Sequence, residues 1–158
     1  MSLSSESTSD MGNDHRQPPD TPPRTGVPFE MVVFATPRSR QTRRRRKRRE
    51  WKGEIEEQAR RHLQPGVAVL DEPITVRIGH YYRRVSLDVD NILKAILDGL
   101  EKVVYTNDNL IVDLIVSKRA IEGFSHDRVS TVLARSLAAG VDFVHITVSP
   151  SMDVEVLR

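Results

Sequence analysis

The chain has 158 residues, 38% of them apolar and 29% charged, with a formal net charge of only +2 and no cysteine. No apolar run approaches the ~20 residues of a membrane-spanning helix, the lack of Cys excludes a disulfide-stapled secreted fold, and no charged-then-apolar leader opens the chain. A cytoplasmic protein is the expectation.

Residues 1–25 are dominated by Ser, Asp and Pro and hold almost no large apolar side chains. Burial cannot offset the ordering entropy of such a segment, so a disordered tail is expected there, with a folded domain over residues 26–158. Phe29 to Ala35 is a short apolar run that suits a strand, and Pro37 stops it. A basic block follows: ten of the 24 Lys and Arg residues lie between Arg38 and Lys52, with Glu50 the only acid among them. Such density points to a polyanion partner. From about Arg48 to Gln64 a helix is predicted, because Trp51, Ile55, Ala59 and Leu63 recur every four residues and Pro65-Gly66 ends the pattern.

Ile74, Val76, Ile78 and His80 alternate with Thr75 and Arg77 at strand spacing. Ile92, Leu93, Ile96, Leu97 and Leu100 then form a helical stripe. Val103-Val104-Tyr105 leads to a turn at Thr106 to Asn109, followed by a strand from Leu110 to Lys118. A shorter helix is predicted over Asp127 to Ala138, with Gly140 as its C-cap, and a last strand over Val141 to Val148. The order β-α-β-α-β-α-β, without a Gly-rich nucleotide loop, implies an α+β domain: a small mixed sheet packed with helices.

Three carboxylates draw attention. Asp88 and Asp90 stand at a strand-to-helix junction, and Asp108 lies in the turn before the next strand. Together they can converge on one point. Hard divalent cations take oxygen ligands, and Mg²⁺ in phosphate chemistry takes one or two carboxylates, waters and the substrate phosphate. A zinc site is not expected, since there is no Cys and the five His are scattered. The same residues also read as ordinary structure. Asp in a first helical turn caps free N–H groups, Asp90, Lys94 and Asp98 have the spacing of a surface salt-bridge ladder, and Asp108 suits a turn. Lys94 is either a solvated helix residue or a cation placed to neutralise charge on a phosphate.

The pattern Asp88-Val89-Asp90-Asn91-x-x-Lys94-x-x-x-Asp98, then Asp108 and an apolar strand bearing Asp113, resembles the RusA family of Holliday junction resolvases. The similarity covers roughly Val27 to Arg119. It implies a RusA-like fold and a Mg²⁺-dependent, structure-selective endonuclease. Asp88, Asp90 and Asp108 would be its metal ligands and Lys94 a catalytic cation. It also implies a homodimer making paired cuts across a four-way DNA junction, in recombination and repair, and leaving 5′-phosphate and 3′-hydroxyl ends. Two positions depart from the family pattern. Asn107 stands where the turn usually has a second acid, and Leu110 stands where Gln is common. Neither removes a residue assigned to the metal.

Arg38, Arg40, Arg43, Arg44, Arg45, Arg46, Lys47 and Arg48, with Arg49 and Lys52, would grip the phosphates of branched DNA from a mobile loop. Tyr81, Tyr82, Arg83 and Arg84 would extend that surface. The alternative is a non-catalytic junction- or RNA-binding module that uses the Arg-rich block, or a basic dock for an acidic protein. Aromatic residues are only 5%, which gives little support to a base-stacking platform. A dimer is expected on symmetry grounds as well, since two symmetric cuts need two sites. The apolar strands Leu110 to Val116 and Val141 to Val148 offer an interface, at least one of them being expected at a sheet edge.

Overall fold

The computed structural model describes residues 29–34, 44–84, 89–125 and 127–151, with the side chains of residues 44, 45, 47 and 89–91 left outside that description. The tail over 1–25, Arg38, Arg40, Arg43 and Asp88 therefore lie outside the described residues.

Strands and helices alternate as β1 (Phe29–Phe34), α1 (Arg44–His62), β2 (Ile74–Tyr82), α2 (Val89–Leu100), β3 (Ile111–Ala120), α3 (Thr131–Ala139) and β4 (Phe143–Pro150), with a one-turn 3-10 helix at Asp108–Leu110. The strands form one mixed sheet in the order β1-β4-β2-β3. β4 runs antiparallel to both β1 and β2, and β2 and β3 run parallel, joined by the crossover helix α2. This is the α+β arrangement expected from the element order.

Period-two alternation decides which face each strand buries. Met31, Ile146 and Ile78 lie side by side across β1, β4 and β2, as do Val33, Val144 and His80. On that face α1 contributes Ile55 and Ala59, with Trp51 and Leu63 at its margin, and α2 contributes Ile92, Ile96 and Leu100. The opposite face carries a smaller cluster, in which Leu133 and Leu137 of α3 cover Tyr81 and Phe143. The rings of Tyr81 and Phe143 stack with centroids 4.8 Å apart.

Helices α1 and α2 pack side by side, and Gly99 makes their close approach possible. A Cβ on Gly99 would lie 2.8 Å from Ile55 Cγ2 and 2.9 Å from the Lys52 carbonyl oxygen. The basic helix is thereby held against the helix that carries the acidic motif.

Helix boundaries differ from the sequence reading in two places. α1 begins at Arg44 rather than Arg48, so the Arg44–Arg48 half of the basic block is helical, not a loop. Arg and Lys are good helix formers, and (i, i+4) pairs reinforce the helix: Arg46 with Glu50 at 3.1 Å and Arg60 with Glu56 at 2.9 Å. α3 begins at Thr131 rather than Asp127, because Ser130 caps it by accepting the Leu133 N–H at 3.1 Å. Asp127 is instead engaged in a turn with Ser125. Gly140 ends α3 in the left-handed conformation at φ 65°, in keeping with its sequence position. No helix among the described residues is long and apolar enough to cross a membrane.

Candidate active site

The loop between α2 and β3 builds one wall of the site. After Leu100 the chain reverses through Lys102, a non-glycine residue at φ 66°, a conformation that costs roughly 1–2 kcal/mol. The reversal is held from both sides. Lys102 N–H donates to the Tyr105 carbonyl at 2.7 Å, Leu70 N–H to Val104 at 2.9 Å, and Thr106 N–H to Leu70 at 3.0 Å. Thr106 Oγ1 also donates to Asp71 at 2.5 Å. Asn107 then caps the 3-10 turn by accepting the Asn109 N–H at 2.8 Å. Asn107, where the resemblance implies a second acid, thus performs the local work of a cap, which an amide oxygen does as well as a carboxylate. Leu110, the other departure, packs against the main core.

Helix α2 supplies the opposite wall. Its hydrophobic stripe is anchored in the core, which leaves Lys94 and Asp98 on a shared outer face at (i, i+4) spacing. Lys94 Nζ donates to Asp98 Oδ1 at 3.2 Å. The two walls meet in an open cleft of about 230 Å³, lined by Leu93, Lys94, Leu97, Asp98 and Asp108. Two of the four residues assigned to the site from sequence, Lys94 and Asp108, are therefore brought to one place from separate elements. Asp90 belongs to the first turn of α2, its side chain outside the description, and Asp88 lies outside the described residues. Asp98, which spacing marks only as a ladder residue of the motif, also lines the cleft.

The Lys94–Asp98 pair leaves Lys94 available. The lysine side chain is 64% exposed, and surface pairs of this kind are worth only ~0–1 kcal/mol. A phosphate in the cleft can compete for the ammonium at little cost. Among the described residues no three His, Asp or Glu side chains converge as a metal cage. The carboxylates that the cleft does hold, Asp98 and Asp108, are hard oxygen donors. They suit a cation that keeps several waters and takes only one or two protein carboxylates.

Beneath the cleft sits Tyr105, which is fully buried. Its hydroxyl donates to the Leu97 carbonyl at 2.9 Å. Burial pushes the phenol far above its ordinary range, and the Asp108 charge and a side-chain hydrogen bond with Asp108 push it further the same way. Nothing in the motif points to this residue. His80 is a second surprise. It is fully buried on β2, and neither ring nitrogen has a hydrogen-bond partner among the described residues. Burial lowers its pKa, with Asp142 opposing and Lys118 adding to that shift.

The basic surface adjoins this region through α1. Arg46, Arg48 and Arg49 are exposed, and the first turn of α1 contains no acid. The positive end of the helix dipole therefore reinforces the basic side chains.

Compared with known families, residues 28–124 match the model of the endodeoxyribonuclease RusA. That span runs from the start of β1 past the end of β3 and takes in the cleft and the basic helix. No curated protein matches the chain.

Proposed function

The chain belongs to the RusA family of endodeoxyribonucleases, and from that premise we propose that it resolves four-way DNA junctions with the help of a divalent cation, Mg²⁺. The observation that carries this reading is the cleft, where α2 and the 3-10 turn bring Lys94, Asp98 and Asp108 together. Asp88, Asp90 and Asp108 would hold the cation, and Asp98 lines the cleft together with Asp108. When bound, a cation of this kind lowers the pKa of water and offsets charge on a phosphodiester. Lys94 exchanges its contact with Asp98 for a phosphate oxygen and so stabilises developing negative charge. The Arg-rich start of α1, with Arg38, Arg40 and Arg43 before it, holds the flanking phosphates and sets the duplex arm against the cleft.

A synthetic four-way junction incubated with and without Mg²⁺ tests the reading. Cleavage confined to the Mg²⁺ reaction, with preference for the junction over linear duplex, is the expected result. A junction bound tightly but left intact would favour the non-catalytic binding module instead. Binding without preference for the branch would favour a basic dock for an acidic partner.

The unit that cuts is a two-fold homodimer joined along β3. This strand is at the edge of the sheet, yet Val112, Leu114, Ile115 and Val116 are all exposed, between 38% and 56%. A long apolar edge left bare invites uncontrolled pairing. A second copy running antiparallel about an axis at Val116 would cover it and extend the sheet to eight strands. In that register Asp113 of each copy falls opposite Arg119 of the other, with Asp113 also accepting from Thr75 of its own chain at 3.2 Å. Val116→Lys would set two lysines against each other at the axis. Such a juxtaposition costs several kcal/mol, so dimerisation should weaken by more than ~100-fold. Sedimentation should show a dimer for the parent and a monomer for the variant, with the variant nicking one strand of the junction. A parent that sediments only as monomer while resolving junctions completely would sink the dimer.

A further inference from the structure

β1 and β2 both run antiparallel to β4 and so parallel to each other, and β3 runs parallel to β2. α1 must therefore run back along the sheet to begin β2, and α2 must do so to begin β3. Both helices start at the end of the sheet where these strands finish. The Arg-rich turns of α1 and the first turn of α2, which contains Asp90, share that end. So do Arg83 and Arg84, which follow β2, and Lys118, which pairs with His80 near the end of β3. α1 packs on β1, and β3 is the opposite edge of the sheet, three strand spacings or roughly 14 Å away. The start of α2 thus stands between two basic surfaces rather than beside one.

The second surface is held in place. Ile121 N–H donates to the Tyr82 carbonyl at 2.9 Å, which ties the ends of β2 and β3 together. The Asp142 carboxylate accepts the Arg83 N–H at 2.9 Å and fixes the exit from β2. Arg83, Arg84 and Lys118 are exposed. Arg46, Arg60, Arg61, Lys94 and Lys102 are each paired with a carboxylate, whereas Arg83, Arg84 and Lys118 form no ion pair among the described residues. Exposed cations without a carboxylate partner suit phosphate oxygens. We propose that Arg83, Arg84 and Lys118 form a second phosphate-binding surface, across the start of α2 from the Arg-rich helix, that takes a second arm of branched DNA. This rests on the reading of the protein as a junction resolvase. A linear duplex is gripped by α1 alone. At a branch the strand beyond the cut turns into another arm, and that arm needs phosphate contacts of its own. Preference for the branch is then a property of the second surface.

Titration of the full chain against a labelled four-way junction and a labelled linear duplex, in Ca²⁺, tests this. Lys118→Ala should weaken junction binding about eightfold at 0.1 M salt and Arg83→Ala/Arg84→Ala about 60-fold, with logarithmic salt slopes shallower by about 0.9 and 1.8. Linear duplex should bind both variants as it binds the parent. The Arg83/Arg84 variant leaves β3 untouched, and all three side chains are exposed, so thermal melts should match the parent. Arg60→Ala/Arg61→Ala removes the same charge at the other end of α1, where each Arg is paired with a Glu, and should leave junction binding unchanged. Parental junction affinity in both variants, or equal losses on junction and linear duplex, would overturn the second surface while leaving the nuclease reading intact. A parent that binds junction and linear duplex equally would overturn the junction reading and this surface with it.

Discussion

Replacing Asp90 or Asp108 with Asn should lower junction cleavage by more than ~100-fold while leaving junction binding at least as tight as in the parent. The magnitude follows from the kind of interaction removed. Losing an outer partner of a metal ligand already costs ~10–100-fold, and losing the ligand's own charge costs more. Asn keeps the size of Asp, and the 3-10 turn is capped by Asn107 rather than Asp108, so the fold should melt within a few degrees of the parent. Binding should not suffer, since each Asp would repel the phosphates of a bound junction. The same expectation applies to Asp88→Asn. A gel assay for cleavage and a titration of labelled junction in Ca²⁺ separate the two effects. If any one of these variants cuts at near the parental rate, that residue is not a ligand.

Junction affinity should fall by ~10³–10⁵ between 50 and 200 mM salt if roughly six to ten phosphates are neutralised. The chain has the charge for this: ten basic residues between Arg38 and Lys52 with a single acid among them. Among the described residues, Arg46, Arg48 and Arg49 are exposed, and Arg46 bonds Glu50. Replacing Arg43 to Arg46 with Ala should weaken binding and flatten the logarithmic salt slope by up to about 0.9 for each phosphate that is no longer neutralised. Alanine maintains the helical start of α1, so the change isolates charge from structure. A slope that does not move would remove the block from the DNA interface.

Much of this architecture is legible in the residues because hydrophobic spacing carries it. Trp51, Ile55, Ala59 and Leu63 mark the buried face of α1, and Ile74, Val76 and Ile78 mark the core face of β2, as packed. The alternation of strands and helices also follows from that spacing, and the acidic motif leads to α2. What spacing does not carry is the return of the chain. Tyr105 lies outside the motif and within an apolar triplet, and only the left-handed turn at Lys102 brings it back beneath the cleft. Asp98 shows a similar limit, since a helix pattern gives its face but not the 3-10 turn that lies opposite. The start of α1 is hidden for another reason: a run of like charges reads as solvated loop, whereas the (i, i+4) glutamates downstream favour helix. For β3, the expectation that one of the two apolar strands lies at a sheet edge holds, since β3 ends the strand order. In the single chain its apolar side chains face outward.

The strand order has a consequence for how the molecule is made. β1 pairs with β4 and with no other strand among the described residues, and β4 also closes against β2. Within this sheet β1 has no partner until residues 143–150 are in place. Until then the Arg-rich helix that follows β1 and the β2-α2-β3 crossover share no continuous sheet. Contacts so distant along the chain slow folding. They also make closure of the sheet depend on β4, through which β1 and the β2-α2-β3 crossover enter one sheet.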